Sequence, residues 1–185
     1  TLPDLEILSS STRSVARMVS RRQALLGFVA PMLETPDLRL LAHERVPLRC
    51  VMPAGHPLAQ QKRIDLDDLA DLDFIALSVT TTTGATLEQL FARMARPPHI
   101  ILRARLAHVV CALTLRGLGV GIVDAFSAGD HVARGGISRP MTISETFGFS
   151  VIAARTVAAH QVTEPLLEHL RIRARHHRNQ DAEAC

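Results

Sequence analysis

The chain has 185 residues, of which 47% are hydrophobic and 21% charged, a balance that excludes wholesale disorder and allows a substantial core. It contains six Phe and no Trp or Tyr, so the core must be aliphatic, and modules that stack bases on aromatic platforms are disfavoured. The last fifteen residues hold four of the 21 basic and two of the 18 acidic residues, which leaves 17 against 16 elsewhere and no basic stripe.

Cysteine use and hydropathy bear on the cellular setting. Cys50, Cys111 and Cys185 are far apart, with neither metal-ligand spacing nor a disulfide framework, which favours a reducing, intracellular environment. No apolar run approaches the roughly 18 residues of a membrane span, and no signal peptide is visible after Thr1. We therefore expect a cytoplasmic protein without membrane contact, bound metal or cofactor.

Short apolar runs alternate with amphipathic segments, which predicts an α/β layer fold. In the first part of the chain we expect strands over 5–8, 26–30, 38–41 and 48–52. Pro47 separates the last two of these strands. A helix follows the first strand, with candidate N-caps over 9–12, and Asp65 can cap a short helix that carries Leu66 and Leu69.

The second part of the chain continues the alternation. Strands are expected over 74–77, 100–102, 120–123 and 147–153. Thr86 and Gln89 fit a capping box for the helix that follows the first of these strands, and an almost wholly apolar helix is predicted over 106–115. A short helix near Phe126 and a final helix carrying Leu167 complete the pattern, and the Arg/His-rich segment 173–185 is expected to be a flexible tail.

The polar run from Ser78 to Gly84 lies between a predicted strand and a helix N-terminus. Short hydroxyls and free backbone N–H groups there suit an anion or carboxylate, and a solvated capping loop is an equally good interpretation. The run is not a P-loop, because no Lys follows the glycine.

Gly117, Gly119 and Gly121 follow a helix and enter a strand, the reverse of the dinucleotide-binding fingerprint, so a helix cap and a tight turn are predicted. The sequence contains neither a His-Glu-x-x-His motif nor a G-x-S-x-G nucleophile elbow, and we predict no catalytic residue. His108 begins an apolar helix as either a partly buried side chain or a ligand contact. Asp124 ends a strand as either a ligand-facing group or a helix N-cap.

Five segments, in this order and spacing, carry a family resemblance: 51–59 (VMPAGHPLA), 64–69 (IDLDDL), 74–75 (FI), 109–113 (VVCAL) and 117–122 (GLGVGI). They resemble the effector-binding domain of LysR-type transcriptional regulators over roughly residues 3–172. The stretch 109–128 is most similar to the branch that contains the lysine-biosynthesis and opine-catabolism regulators.

The resemblance implies a type II periplasmic-binding-protein fold, with two Rossmann-like α/β lobes joined by two crossover strands near 74–77 and 147–152. Lobe one would comprise 1–75 with 150–172, and lobe two would comprise 76–149. On this resemblance, the first strand, the Ser/Thr loop and the first helix of the family's lobe one would lie ahead of Leu2, outside this chain, as would the helix-turn-helix. The family's A-D-L-G motif reads A-L-L-G here, with Leu25 in the place of the Asp.

The function that the resemblance implies is ligand sensing, not catalysis. A small carboxylate or amino-acid derivative would bind between the lobes of a homodimer or homotetramer, and DNA would be bound only through a helix-turn-helix outside this chain. The expected effector contacts are Ser78, Thr80, Thr81, Thr82, His108, Asp124 and Phe126. A stand-alone solute-binding protein and an enzyme on the same scaffold are the alternatives.

Overall fold

The computed structural model describes residues 5–32, 35–156 and 163–183, with side chains through Asn179. The helices are α1 (Thr12–Ser20), α2 (Thr82–Phe91), α3 (Ala107–Leu115), α4 (Ala125–Ala133) and α5 (Thr163–Glu183). The strands are β1 (Gly27–Val29), β2 (Leu38–Met52), β3 (Asp73–Leu77), β4 (His99–Ala104), β5 (Gly121–Asp124), β6 (Ile137–Pro140) and β7 (Thr146–Ala154). Two short 3-10 helices lie at Pro57–Gln60 and Asp67–Leu69. No helix within these ranges is both long and apolar enough to cross a membrane.

The chain forms two compact units. Unit 1 comprises Thr1–Glu44 with Gly148–Arg171, and unit 2 comprises Arg45–Phe147 with Ile172–Cys185. β2, β7 and α5 each pass from one unit to the other. The chain passes between the units in β2, after Glu44, and in β7, after Phe147, while the crossover strands near 74–77 and 147–152 stay a prediction. The lobe boundaries that the resemblance implied, at 75 and 149, stay a prediction that differs from these units at the first boundary.

Unit 1 is built on the pairing of β1 with β7, in which Gly27 lies opposite Ile152. A Cβ at Gly27 would approach the side chains of Val15, Val19 and Ile152 to 3.0 Å or less, so the missing side chain lets α1 pack directly on the strand. The Ser11 hydroxyl accepts a hydrogen bond from the Ser14 amide and caps α1. The buried cluster of this unit is Val19, Val29, Leu38, Ile152 and Ala154.

Five strands of unit 2 lie side by side, and three of them, β4, β3 and β5, run parallel. β3 pairs in parallel with β4, and a parallel bridge joins Phe74 of β3 to Val120, the residue before β5. β5 pairs antiparallel with β2, which also pairs antiparallel with β6. The spatial order is therefore β4-β3-β5-β2-β6.

Side chains from alternate positions of these strands reach two separate hydrophobic clusters in unit 2. One cluster holds Cys50, Met52, Phe74 and Ile122 together with the inward side of α2. The other holds Val51, Ile75 and Val123 together with residues of α3 and α4. This alternation is the period of two that places successive strand residues on opposite sheet faces. The chain is thus an α/β protein, as the alternating pattern predicted.

Two strand predictions are wrong. Residues 5–8 form no strand: Leu5, Ile7 and Leu8 are 66%, 94% and 53% exposed, because no other described residue pairs with this run. The runs 38–41 and 48–52 are one strand, β2, which continues through Pro47. Proline is tolerated there because pairing with β5 begins only at Leu48, so its missing N–H removes no hydrogen bond to that neighbour.

Local capping also differs from prediction in two places. The short helix near residue 67 begins after Leu66, and Asp65 does not cap it; instead the Asp65 amide donates to the Asp68 carboxylate at 2.7 Å. α2 begins at Thr82 with Thr81 as its N-cap, five residues before the N-cap of the expected capping box. Thr86 lies inside that helix, where its hydroxyl donates to the Thr82 carbonyl oxygen at 3.0 Å.

The C-terminal segment is helical where a flexible tail was expected over 173–185. α5 runs to Glu183, and Ala174 and His177 are buried. Ala174 packs with Val46 and Ala125 of unit 2. The Arg178 guanidinium donates to the Arg45 carbonyl oxygen at 2.9 Å, so the described part of this segment is anchored.

Candidate functional site

Most of the predicted effector residues lie at one edge of the unit 2 sheet. Ser78 follows the end of β3, and Asp124 ends β5. β4 leads through Arg105 and Leu106 into α3, with Leu106 at the N-cap position. Because β4, β3 and β5 run parallel, their carboxyl ends meet at the same edge, which is where ligands bind in open α/β sheets.

Hydroxyl groups gather in the loop between β3 and α2. The Ser78 and Thr80 hydroxyl oxygens are 2.9 Å apart, and the Thr80 amide donates to the Ser78 hydroxyl at 3.3 Å. The Thr81 hydroxyl donates to the Ser78 carbonyl oxygen at 2.8 Å and accepts from the Gly84 amide at 3.0 Å. The loop thus presents two linked, accessible hydroxyls, while Thr81 is occupied in capping the helix.

The N-terminus of α2 completes this loop. The Gly84 amide is capped and the Ala85 amide bonds the Thr81 carbonyl oxygen at 2.9 Å, whereas the amides of Thr82 and Thr83 precede the first helical hydrogen bond. Such amides and the helix dipole favour an anion at this end. The sequence pattern correctly predicted a polar run between a strand and a helix N-terminus, and the role of this run as an anion site stays a prediction.

Gly84 allows the Ser78 turn to lie close to the N-terminus of α2. A Cβ on this residue would lie within 3.0 Å of the Ser78 carbonyl oxygen and of the Leu77 carbonyl oxygen. Any side chain at position 84 would therefore push the Ser78 turn away from the helix end. In the sequence this glycine marks only the end of the polar run. Its position three residues after a Thr N-cap is the signal that could have assigned it a role.

The other three predicted effector residues have different environments in the structure. His108 lies exposed in the first turn of α3, not partly buried. Asp124 is the N-cap of α4: its two carboxylate oxygens accept from the Ser127 amide at 2.9 Å and the Ser127 hydroxyl at 2.8 Å. Phe126 is partly buried, with its ring edge-on to that of His177 at 5.2 Å between centroids. The described contacts join Ser78 to Thr80 and Thr81 but do not link His108, Asp124 or Phe126 directly to that loop.

The glycine turn before β5 follows the sequence prediction. Gly117 has φ +78° and follows the last residue of α3 and its C-cap, Arg116. Gly119 has φ +153°, and a Cβ there would lie within 3.0 Å of the Asp73 carbonyl oxygen. The glycines therefore end a helix and let β5 approach β3 closely, and they form no dinucleotide loop.

The cysteines have the properties of core residues. Cys50 and Cys111 are unpaired and buried. Burial, with a smaller contribution from Asp68, raises the pKa of the Cys50 thiol to about 12. Burial first, and then nearby carboxylates, raises the pKa of Cys111 to about 11. Neither thiol is activated as a nucleophile, and the described residues contain no cluster of potential metal ligands.

Comparison with known families identifies the chain. Residues 3–175 match the family described as the LysR substrate binding domain. The chain belongs to this family. Transcriptional activator protein LysR of Escherichia coli is 35% identical over 103 residues, 56% of this chain and 33% of that protein. The HTH-type transcriptional regulator CysB of Burkholderia cenocepacia is 32% identical over 154 residues, 80% of this chain and 47% of that protein.

The fold comparison agrees with the family. The effector-binding domain of QuiR, solved in complex with shikimate, superposes with a TM-score of 0.65 at 18% identity, covering 91% of this chain and 80% of that one. The fold is therefore that of LysR-type effector-binding domains, the type II periplasmic-binding-protein class that the motif order implied. The chain spans between a third and a half of the length of the two regulators above.

Proposed function

We propose that this chain is the effector-sensing part of a LysR-type transcriptional regulator that acts in the cytoplasm and is not an enzyme. The observation that carries the proposal is the hydroxyl-lined loop at the N-terminus of α2, at the carboxyl edge of three parallel strands. Family membership over residues 3–175 supports the sensing role.

The effector that suits this loop is a small carboxylate or an amino-acid derivative. Its carboxylate would accept hydrogen bonds from the hydroxyls of Ser78 and Thr80 and from the amides of Thr82 and Thr83. Charge-assisted hydrogen bonds of this kind contribute about 1.5–3 kcal/mol each when made in a partly desolvated site. Thr81 would act through the loop, because its hydroxyl already holds Ser78 and Gly84.

Three further residues at the same edge would contact the rest of the effector. His108 has an exposed imidazole on α3 that is free to meet a polar group. Asp124 would attract an amine through its charge, although its cap hydrogen bonds to Ser127 would persist. Phe126 would offer an apolar wall. In the full-length protein, effector binding would change the geometry of a homodimer or homotetramer whose DNA contacts come from a helix-turn-helix outside this chain.

Titration calorimetry on the double variant Ser78→Ala, Thr80→Ala tests the proposed site. A thermal-shift screen of shikimate, benzoate, lysine and other small carboxylates first selects a ligand that binds the unchanged protein. The double variant should bind this ligand at least tenfold more weakly, because two hydrogen bonds to a charged group are lost. Its free energy of unfolding should change by less than about 1 kcal/mol, because both hydroxyls lie in a solvated loop.

Thr86→Ala is the matched control, because it removes a threonine hydroxyl from α2 that bonds only the Thr82 carbonyl oxygen within the helix. This variant should keep the affinity of the unchanged protein. Equal affinity of the double variant and the unchanged protein would overturn the assignment of the loop. A comparable loss in Thr86→Ala would show that the effect comes from α2 stability and not from direct contact.

A further inference from the structure

The part of α5 that belongs to unit 2 packs against β2 and α4 through two buried side chains. Ala174 is fully buried beside Val46 and Ala125, and His177, one turn later, is 7% exposed. The imidazole ring of His177 stands edge-on to Phe126, with 5.2 Å between centroids and planes at 90°. A Cβ built on Gly129 of α4 would be 3.7 Å from the His177 Cε1 atom, so the ring lies on the surface of α4.

The buried imidazole has an unsatisfied polar atom. Nε2 of His177 is shielded from solvent and finds no hydrogen-bond partner among the described residues. In the neutral ring this atom can be the unprotonated nitrogen, at moderate cost. A second proton would place a positive charge in a pocket that offers it no acceptor, at a far higher cost.

Most of the charged groups around the His177 ring lower its pKa. Arg173 and His176 face it from α5, and Arg49 faces it from β2, while Asp124 at the start of α4 is the one nearby anion. Both oxygens of Asp124 already accept hydrogen bonds from Ser127. Burial, followed by the three basic side chains, lowers the pKa of His177 below its usual 6.5, and Asp124 opposes this only in part.

We propose that His177 is an acid-sensitive latch that holds the C-terminal turns of α5, from residue 172 onward, against α4. The neutral ring fits the apolar surface formed by Phe126 and Gly129, and the latch is closed near neutral pH. Protonation opens it, because the charged ring is stable only after it leaves this surface for water. The inference concerns the docking of α5 and is independent of whether the Ser78 loop binds an effector.

The direction of the pH effect follows from proton binding. The undocked state takes up a proton below pH 6.5, and the docked state resists it until a lower pH, so acidification favours undocking. Docking should weaken about tenfold for each pH unit below 6.5, down to the pKa of the docked ring. Above pH 6.5 the docking strength should not depend on pH.

Hydrogen–deuterium exchange of the full chain tests the latch. Rates at pH 5.0 and 7.5, corrected for the intrinsic pH dependence of exchange, should show at least a tenfold loss of protection at pH 5.0 for backbone amides over 172–179. Amides of β5 should keep their protection, because unit 2 itself stays folded. An equal loss in β5 would indicate unfolding of the whole unit and would overturn the proposal.

The variants His177→Phe and His176→Gln distinguish the effect of His177 from that of the adjacent histidine. His177→Phe keeps an aromatic ring against Phe126 without a titrating group, so its α5 protection should be equal at both pH values. His176→Gln should keep most of the pH dependence of the unchanged protein, because burial, the largest cause of the lowered pKa of His177, is unaffected by this change. If His177→Phe loses helix content by circular dichroism, NMR titration of the His177 ring protons in the unchanged protein decides instead. A ring pKa of 6.5 or above, or pH-independent protection of α5, would refute the latch.

Discussion

Units 1 and 2 hold similar apolar sequence but bury it very differently. In unit 2 the strands have hydrophobic clusters on both faces, and Phe74, Ile75 and Ile122 are completely buried. In the described part of unit 1 the apolar run 5–8 is exposed and forms no strand, and Phe28 of β1 is 47% exposed. An apolar run is stabilised only where a neighbouring strand and a covering helix are present, and unit 2 supplies both.

The largest expected effect contrasts a core residue of unit 2 with an apolar residue of unit 1. Phe74→Ala should lower the free energy of unfolding by about 3–5 kcal/mol, because the ring is fully buried and packs edge-on against Phe91. Ile7→Ala should change it by less than about 0.5 kcal/mol, because Ile7 is 94% exposed. Urea denaturation measures both. A cost above 2 kcal/mol for Ile7→Ala would mean that unit 1 buries this run after all.

Two glycines of unit 2 have positive φ angles but differ in how closely the surrounding backbone packs against them. Gly119→Ala should cost about 2–3 kcal/mol, because its Cβ would collide with the Asp73 backbone in addition to the strain of a positive φ. Gly55→Ala should cost about 1 kcal/mol, since Gly55 also has a positive φ but nothing lies within 4 Å of its Cβ position. Thermal unfolding of both variants provides the check. Equal costs would show that strand approach at Gly119 is not tight.

Alkaline pH should destabilise unit 2 through Cys50. Its thiol has a pKa of about 12 in the folded chain against 9.0 when exposed, so the stability it contributes is complete below pH 9 and is lost as pH rises toward 12. At pH 10 the loss is about 1.4 kcal/mol. The chain has no Tyr and only one Lys, and Cys111, whose pKa burial raises to about 11, adds a second thiol contribution in this range. Because Cys111 contributes in the same direction, Cys50→Ala should reduce, but not abolish, the dependence of urea midpoints on pH between 8 and 10.5, and an unchanged slope would contradict the burial of Cys50.

The smallest expected effects on the free energy of unfolding come from removing one helix N-cap in each unit. Asp124→Ala should cost about 1–2 kcal/mol, because Asp124 accepts two hydrogen bonds from Ser127. Ser11→Ala should cost about 0.5–1 kcal/mol, since Ser11 accepts a single 3.2 Å hydrogen bond from the Ser14 amide. Asp124→Asn is the control and should retain most of the stability, because its amide oxygen can still accept from the Ser127 amide. Chemical denaturation would contradict this ranking if Ser11→Ala were the costlier change.

Short-range signals in the sequence were sufficient for much of unit 2. The end of α3 at Gly117 needs only a residue that tolerates a positive φ, and Asp124 needs only to stand before a helix; both are visible in the sequence. The Ser78 loop could be placed for the same reason. The resemblance then supplied the fold, which local patterns alone leave open between several α/β arrangements.

Features that depend on distant partners could not be predicted. The run 5–8 has the composition of a strand, but its fate depends on a neighbour that the pattern does not specify. Pro47 indicated a break, yet β2 continues because the pairing with β5 starts one residue later. The helix beyond residue 172 was expected to be a tail because it is rich in Arg and His. Only the packing of Ala174 and His177 on α4, more than forty residues away in sequence, shows that it is anchored.

The central claim is that a small anionic effector binds at the N-terminus of α2 beside Ser78 and Thr80. Amide NMR of the isotope-labelled chain, titrated with the carboxylate ligand selected by the thermal-shift screen, tests it most directly. We expect the backbone amides of Thr82 and Thr83 to shift most, and these shifts to saturate at the affinity found by calorimetry. Saturating shifts confined to residues outside the Ser78–Gly84 loop and the neighbouring ends of β4 and β5 would contradict it.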